Sequence, residues 1–124
     1  MKALVALALV SSLATAGQYE DIGRVAFCHG LYAGTIKYTQ QTGQVEAFNS
    51  ATNNFIRTNK LLGIIQRQVP DESNTLVIGG AVFEGKITVV GLVGNHDLKG
   101  LNSELLSCSI DLEYINTTYT SKRL

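Results

Sequence analysis

Apolar residues spaced alternately three and four positions apart fill the C-terminal segment, and this spacing constrains the fold more than any other feature of the chain. Residues at this spacing share one face of an α-helix, whereas a half-buried strand needs an apolar residue at every second position. Asp97 or Asn102 can cap the start of such a helix. The pattern predicts a helix over residues 98–119. Its inward face is Leu98, Leu101, Leu105, Cys108, Leu112, Ile115 and Tyr119.

Two earlier segments repeat the spacing and predict two further helices. Between residues 21 and 42 the shared face is Ile22, Val25, His29, Tyr32 and Ile36. Between residues 45 and 69 it is Phe48, Ala51, Phe55, Thr58, Leu62, Ile65 and Val69. Gly43 is placed to end the first of these helices, and Pro70 cannot continue the second.

Residues 73–95 fit either a helix or a β-hairpin. β-branched runs on both sides of Glu84 and Gly85 are typical of a hairpin over residues 75–93. Helical spacing instead places Leu76, Gly80, Phe83, Ile87 and Val90 on one face. We favour the helix, because three amphipathic helices need a fourth to close a bundle. The hairpin is the alternative.

The length and composition indicate one globular domain. The chain has 124 residues, of which 45% are hydrophobic and 16% charged. It is too apolar for disorder and long enough for one core. Ten basic and ten acidic residues cancel, so its charge gives no general attraction to nucleic acid. We expect a mainly α fold, a small helical bundle of about four helices.

The first sixteen residues have the pattern of a secretory signal peptide. Lys2 supplies a positive end, residues 3–10 are uninterruptedly apolar, and Ala14-Thr15-Ala16 resembles a cleavage site. We predict cleavage after Ala16, which leaves residues 17–124 as a single secreted or periplasmic α-helical domain.

Export and an even cysteine count predict a disulfide between Cys28 and Cys108. Cys28 shares the inward face of the first helix with Val25 and Tyr32, and Cys108 lies at the centre of the last helix's apolar face. Packing these two faces together brings the two sulfur atoms into contact. The predicted bundle is therefore closed by one disulfide.

A membrane span is a further alternative for residues 75–94, which are long and apolar. Glu84 and Lys86 lie at the centre of this segment, and each costs roughly 2.5–3.5 kcal/mol on insertion scales. We expect no stable membrane insertion. A membrane-associated protein that inserts residues 73–95 stays as one alternative function.

Few residues are suited to catalysis or to cofactor binding. His29 and His96 are the only histidines, and no paired ligand motif accompanies them, so we expect no metal. Residues 80–87 resemble a phosphate-binding loop, but Ile87 stands where Ser or Thr must hold Mg²⁺. No cofactor is expected. His96 followed by Asp97 suggests a small secreted hydrolase as an alternative function, although no recognisable nucleophile accompanies this pair.

Tyrosines near the two terminal helices suggest a binding surface, because their rings combine an apolar body with a polar tip. The possible binding face is His29, Tyr32, Tyr114 and Tyr119. Asn116-Thr117-Thr118 is a glycosylation sequon. The predicted function is an exported α-helical binding or interaction module for another protein or a small ligand. An enzyme is the less favoured interpretation and stays open as the hydrolase alternative.

Overall fold

A computed structural model describes residues 16–69 and 73–121. This part of the chain forms four α-helices and no strand. They are α1 (Ala16–Thr42), α2 (Val45–Gln68), α3 (Asn74–Gly94) and α4 (Leu98–Ser121). The predicted mainly α fold is confirmed, and residues 75–93 are helical rather than the alternative hairpin. The predicted signal peptide lies outside the described residues, except for Ala16, which begins α1.

The first helix is central and contacts each of the other three. It runs parallel to α3, because Gly23 lies beside Val77 and Gly34 beside Val89. A tight turn at Gly43 reverses the chain into α2. Gly43 has a φ of 72°, and the Gln44 amide donates to the Thr39 carbonyl over 3.1 Å. This is the hydrogen bond that closes a glycine-ended helix.

The core contains most of the residues on the inward faces that the spacing of α1, α2 and α4 predicts, together with Leu31 and Leu61, which lie outside those faces. The large apolar side chains of these helices that are buried are Ile22, Val25, Leu31, Tyr32, Leu61, Leu62, Ile65, Leu101, Leu112, Ile115 and Tyr119. Leu98 is an exception, since it starts α4 and is exposed. Asp97 caps that helix by accepting from the Gly100 amide over 2.8 Å, as the sequence predicts.

Glycines bring α1 and α3 into backbone contact. A Cβ atom at Gly30 would overlap the Val82 carbonyl, and a Cβ atom at Gly85 would overlap the Phe27 carbonyl and the Leu31 amide nitrogen. Both positions are buried. Only glycine fits where two helix backbones approach this closely, so these residues determine which side of α3 meets α1.

The inward face of α3 is therefore not the predicted one. Gly85 and Val89 are buried in the contact with α1, and Val77, Ala81 and Val82 pack partly buried against the core. The face predicted from spacing, at Leu76, Gly80, Phe83, Ile87 and Val90, is exposed instead. Because α3 is apolar on all sides, spacing alone does not distinguish its two faces.

The predicted disulfide joins Cys28 of α1 to Cys108 of α4, with their Cα atoms 5.7 Å apart. Both residues are fully buried. Polar contacts also tie these antiparallel helices together. The Tyr119 hydroxyl donates to Asp21 Oδ2 over 3.0 Å, and Arg24 Nε donates to Asp111 Oδ2 over 2.6 Å.

Candidate functional site

Four large apolar side chains form an exposed row along the outer face of α3, which we call the α3 stripe. Their exposed fractions are 81% for Leu76, 63% for Phe83, 50% for Ile87 and 71% for Val90. They lie at intervals of seven, four and three residues, so they follow one line along the helix. An exposed apolar row of this kind is a candidate interaction surface.

Two glycines lie on the same helical face as the α3 stripe, and two charged residues border it. Gly80 and Gly94 are exposed and occupy the same helical face by their spacing, and no atom would contact a Cβ atom added at either position. Glu84 and Lys86 are exposed and lie on either side of Gly85 in the sequence. The outer face of α3 therefore carries a line of apolar side chains, two glycines that leave gaps in this line, and one acidic and one basic residue beside it.

Helix α3 is also long and apolar enough to cross a membrane, judged by length and composition. Among the described residues it is the one helix that meets this criterion, with a mean hydropathy of 1.8 and 11% of its most apolar window buried. Core helices of soluble proteins meet the same criterion but are mostly buried. The buried fraction of this window is low because the side chains of the α3 stripe are exposed.

The residues of the predicted binding face do not share a surface. Tyr32 and Tyr119 are each only 2% exposed and belong to the core, whereas Tyr114 is exposed on α4. His29 is half-buried and its ring is stacked on Phe55 of α2, with the ring centroids 4.1 Å apart. Tyr32 and Tyr119, which share the helical faces of Cys28 and Cys108, are therefore too buried to form part of a binding surface.

His29 is held by a hydrogen bond to Thr58 of α2. Its Nδ1 lies 2.7 Å from Thr58 Oγ1, and that hydroxyl donates its single hydrogen to the Phe55 carbonyl over 2.9 Å. Burial lowers the pKa of His29 below its ordinary 6.5, and the positive charge of Lys86 lowers it further, against an opposing backbone hydrogen bond at Phe55.

The pair His96 and Asp97 lies in the turn between α3 and α4. His96 has a φ of 56°, and its amide donates to the Val93 carbonyl over 3.0 Å. Asp97 Oδ1 accepts from Gly100 as the helix cap. The carboxylate therefore caps α4, and no hydrogen bond among the described residues joins it to the His96 ring.

Several concave regions open onto the helical surface, and one of about 610 Å³ lies between α1 and α4 beside Arg24 and Asp111. A groove of about 620 Å³ between the C-terminal halves of α1 and α3 has Gly34, Val89 and Val93 in its walls, together with the exposed Lys37 and Lys86. Val90 of the α3 stripe also lines it, so groove and stripe are continuous. A smaller cavity of about 280 Å³ lies between α1, α2 and α4, with Tyr32 in its wall.

Within the described segments, no group of three or more His, Cys, Asp or Glu side chains is arranged to hold a metal ion. The functional interpretation therefore depends on surfaces and cavities. The helical spacing of α3 places the residues of the α3 stripe in the core, so it does not predict this exposed surface. The signal that indicates it is the apolar composition of α3 on every face, since one helix of a small bundle cannot bury all its sides.

We compared the chain with protein-family models, with curated proteins and with solved structures, and it matches none of them.

Proposed function

We propose that this protein is an exported, disulfide-bonded interaction module that binds a helix of another protein through the α3 stripe. The observation that carries the proposal is the exposure of Leu76, Phe83, Ile87 and Val90 on one face of a helix whose opposite face is packed in the fold. Covering these side chains would remove apolar surface from water, which is the main driving force of protein association.

A helical partner fits the shape of the stripe best. With Gly80 included, successive stripe residues are four and three positions apart, which is the spacing that an opposing helix contacts along its length. Side chains of the partner would lie over Gly80 and Gly94. The backbone contact of α3 with α1 holds the stripe in place before binding, which lowers the entropic cost of association.

Export is supported by the signal-peptide pattern of residues 1–16 and by the disulfide, since disulfides persist in oxidising compartments. N-terminal sequencing of the secreted protein tests it. The expected first residue is Gly17. Recovery of only full-length protein with both thiols reduced would contradict export.

The binding proposal is tested by placing a photoactivatable cross-linking residue at Phe83 in the source cells. The cross-linked partner is identified by mass and purified, and its affinity for the unmodified protein is then titrated. We expect the double variant Phe83→Gln with Val90→Gln to bind at least about tenfold more weakly, a loss of about 1.4 kcal/mol. Glutamine keeps good helix propensity.

The matched control is Leu106→Gln with Ile110→Gln on α4, where two aliphatic side chains are exposed to a similar degree. This control should bind as the unmodified protein does. Equal loss of affinity in both variants, or full affinity of the α3 variant, would contradict a site at the stripe.

Membrane insertion of α3 is the second candidate function, because α3 has the length and hydropathy of a span and is little buried. Flotation with phosphatidylcholine and phosphatidylglycerol vesicles distinguishes the two. An interaction module stays at the bottom of the gradient. Flotation of the unmodified protein, abolished by the Phe83 and Val90 substitutions, would favour the membrane and contradict the proposal.

No observation favours a hydrolase that uses His96, because the Asp97 carboxylate caps α4. Loss of a measured hydrolytic activity in His96→Ala, with unchanged stability, would nevertheless establish that function in place of the one proposed.

A further inference from the structure

The groove of about 620 Å³ between the C-terminal halves of α1 and α3 combines apolar surface with positive charge. Its apolar lining is open to solvent, since Ala33, Tyr38 and Val93 are each partly exposed. Lys37 of α1 and Lys86 of α3 also line the groove, one from each helix, and both are exposed. A molecule that enters from solvent can therefore contact apolar side chains and ammonium groups together.

Neither of these lysines is neutralised within the described residues. The ion pairs of this part of the chain are Arg24 with Asp111 and Arg57 with Glu113, and they include neither lysine. No acidic side chain is among the described residues that line the groove. The groove therefore has a positive charge on each wall and attracts an anion.

The register of the two parallel helices places both lysines within reach of one anionic group. Gly34 lies beside Val89, so Lys86 is level with Leu31. Lys37 lies six residues further along, a distance of about 9 Å at the helical rise. Each ammonium group is carried on a flexible aliphatic stem. Both can therefore turn toward an anion held between them.

The size of the groove selects a ligand with one hydrocarbon chain. Its volume lies within the usual range for one small molecule, and its lining on α3 extends from Lys86 to Gly94, about 12 Å along the helix. We propose that this groove binds a free fatty acid of medium chain length, whose carboxylate is held by Lys37 and Lys86 and whose chain covers Val93. Val90 belongs to both the groove and the α3 stripe, but fatty-acid binding does not depend on docking of a helix.

The proposal is tested with decanoate and with decyltrimethylammonium, a cation that carries a chain of the same length. Both are titrated at neutral pH below the concentrations at which they form micelles, while backbone amide shifts of the isotope-labelled protein are recorded. We expect saturable shifts at Ala33, Gly34 and Val93 with decanoate, and at least about fivefold weaker binding of the cation. Absence of saturable decanoate binding, or equal binding of both probes, would overturn the proposal.

Chain length tests the apolar contact separately from the charge. Octanoate has the same carboxylate as decanoate and a chain shorter by two methylene groups. It should bind roughly three- to tenfold more weakly, because less apolar surface leaves water. Equal affinity of the two carboxylates would show that the chain lies outside the groove and would contradict a fatty-acid site.

Replacing both groove lysines tests their role directly. Lys37→Gln with Lys86→Gln should weaken decanoate binding at least about threefold, the effect of losing exposed ion pairs. The matched control is Lys60→Gln with Lys99→Gln, which removes the same charge from exposed positions outside the groove and should leave the affinity unchanged. Full affinity of the groove variant, or an equal loss in the control, would overturn the proposal.

Two further measurements distinguish the groove from the α3 stripe and from a membrane surface. Phe83→Gln alters the stripe at a residue that does not line the groove, so it should bind decanoate normally. Loss of decanoate binding in this variant would place the ligand on the stripe instead. Flotation with phosphatidylglycerol vesicles that is lost in the groove-lysine variant would assign Lys37 and Lys86 to a membrane surface and overturn the proposal.

Discussion

Gly85 of α3 lies against the α1 backbone beside Gly30, where an added Cβ atom would overlap the Phe27 carbonyl. Gly30 in turn lies against the backbone of Val82, so that neither glycine position has room for a Cβ atom. This contact joins the two helices at the middle of α3 and turns its opposite face outward. The contact explains both the packing of the fold and the position of the α3 stripe.

Gly85→Ala should destabilise the protein by about 1–3 kcal/mol or more, because the added methyl group overlaps backbone atoms that cannot move aside independently. Gly79→Ala on the same helix is the control, since a Cβ atom there meets nothing and alanine improves helix propensity by up to about 1 kcal/mol. Urea unfolding followed by circular dichroism measures both. Equal stability of the two variants would contradict the backbone contact.

Replacing Cys28 and Cys108 together by serine should lower the free energy of unfolding by about 4.5 kcal/mol, from the chain-entropy model for a closed loop of this length. The cysteines are 80 residues apart. Non-reducing mass spectrometry of the unmodified protein should find it lighter by two hydrogens than its reduced form. Two thiols that react in the folded protein would disprove the bond.

The free energy of unfolding should fall as the pH decreases below about 6.5, because of His29. Burial lowers the pKa of His29 in the folded state, so the unfolded chain binds the proton more readily. The stability contributed by neutral His29 is complete above about pH 6.5 and is lost as the pH falls through the lower folded-state pKa. His29→Gln should reduce this slope in denaturant unfolding. An unchanged slope in His29→Gln would disprove this assignment.

Tyr119→Phe should lower stability by about 1–3 kcal/mol, because it removes a hydrogen bond to the Asp21 carboxylate. Burial and this acceptor raise the pKa of Tyr119. Its contribution is therefore complete below the unfolded-state pKa of about 10 and is lost as the pH rises above it. Tyr114→Phe on the exposed side of α4 is the control, with an expected change within about 0.5 kcal/mol. Thermal unfolding at neutral pH compares the two, and equal melting temperatures would contradict the role of Asp21.

The sequence by itself was sufficient for α1, α2 and α4 and for the disulfide. In these helices the apolar residues at three- and four-position spacing line one face, and that face turns inward wherever the partner helix lies. Cys28 and Cys108 lie on two such faces. The pairing of Cys28 with Cys108 follows from the amphipathic pattern without knowledge of the final packing.

Only the tertiary structure decided which face of α3 is buried and which side chains line the groove between α1 and α3. On α3 both faces are apolar, so the spacing does not determine which of them packs against α1. That depends on how closely Gly85 and Gly30 allow the two helix backbones to approach. The placement of Lys37 and Lys86 at one groove likewise depends on how α1 packs against α3. Spacing along one helix gives the direction of a side chain but not the atoms it meets, because those are supplied by segments distant in the sequence.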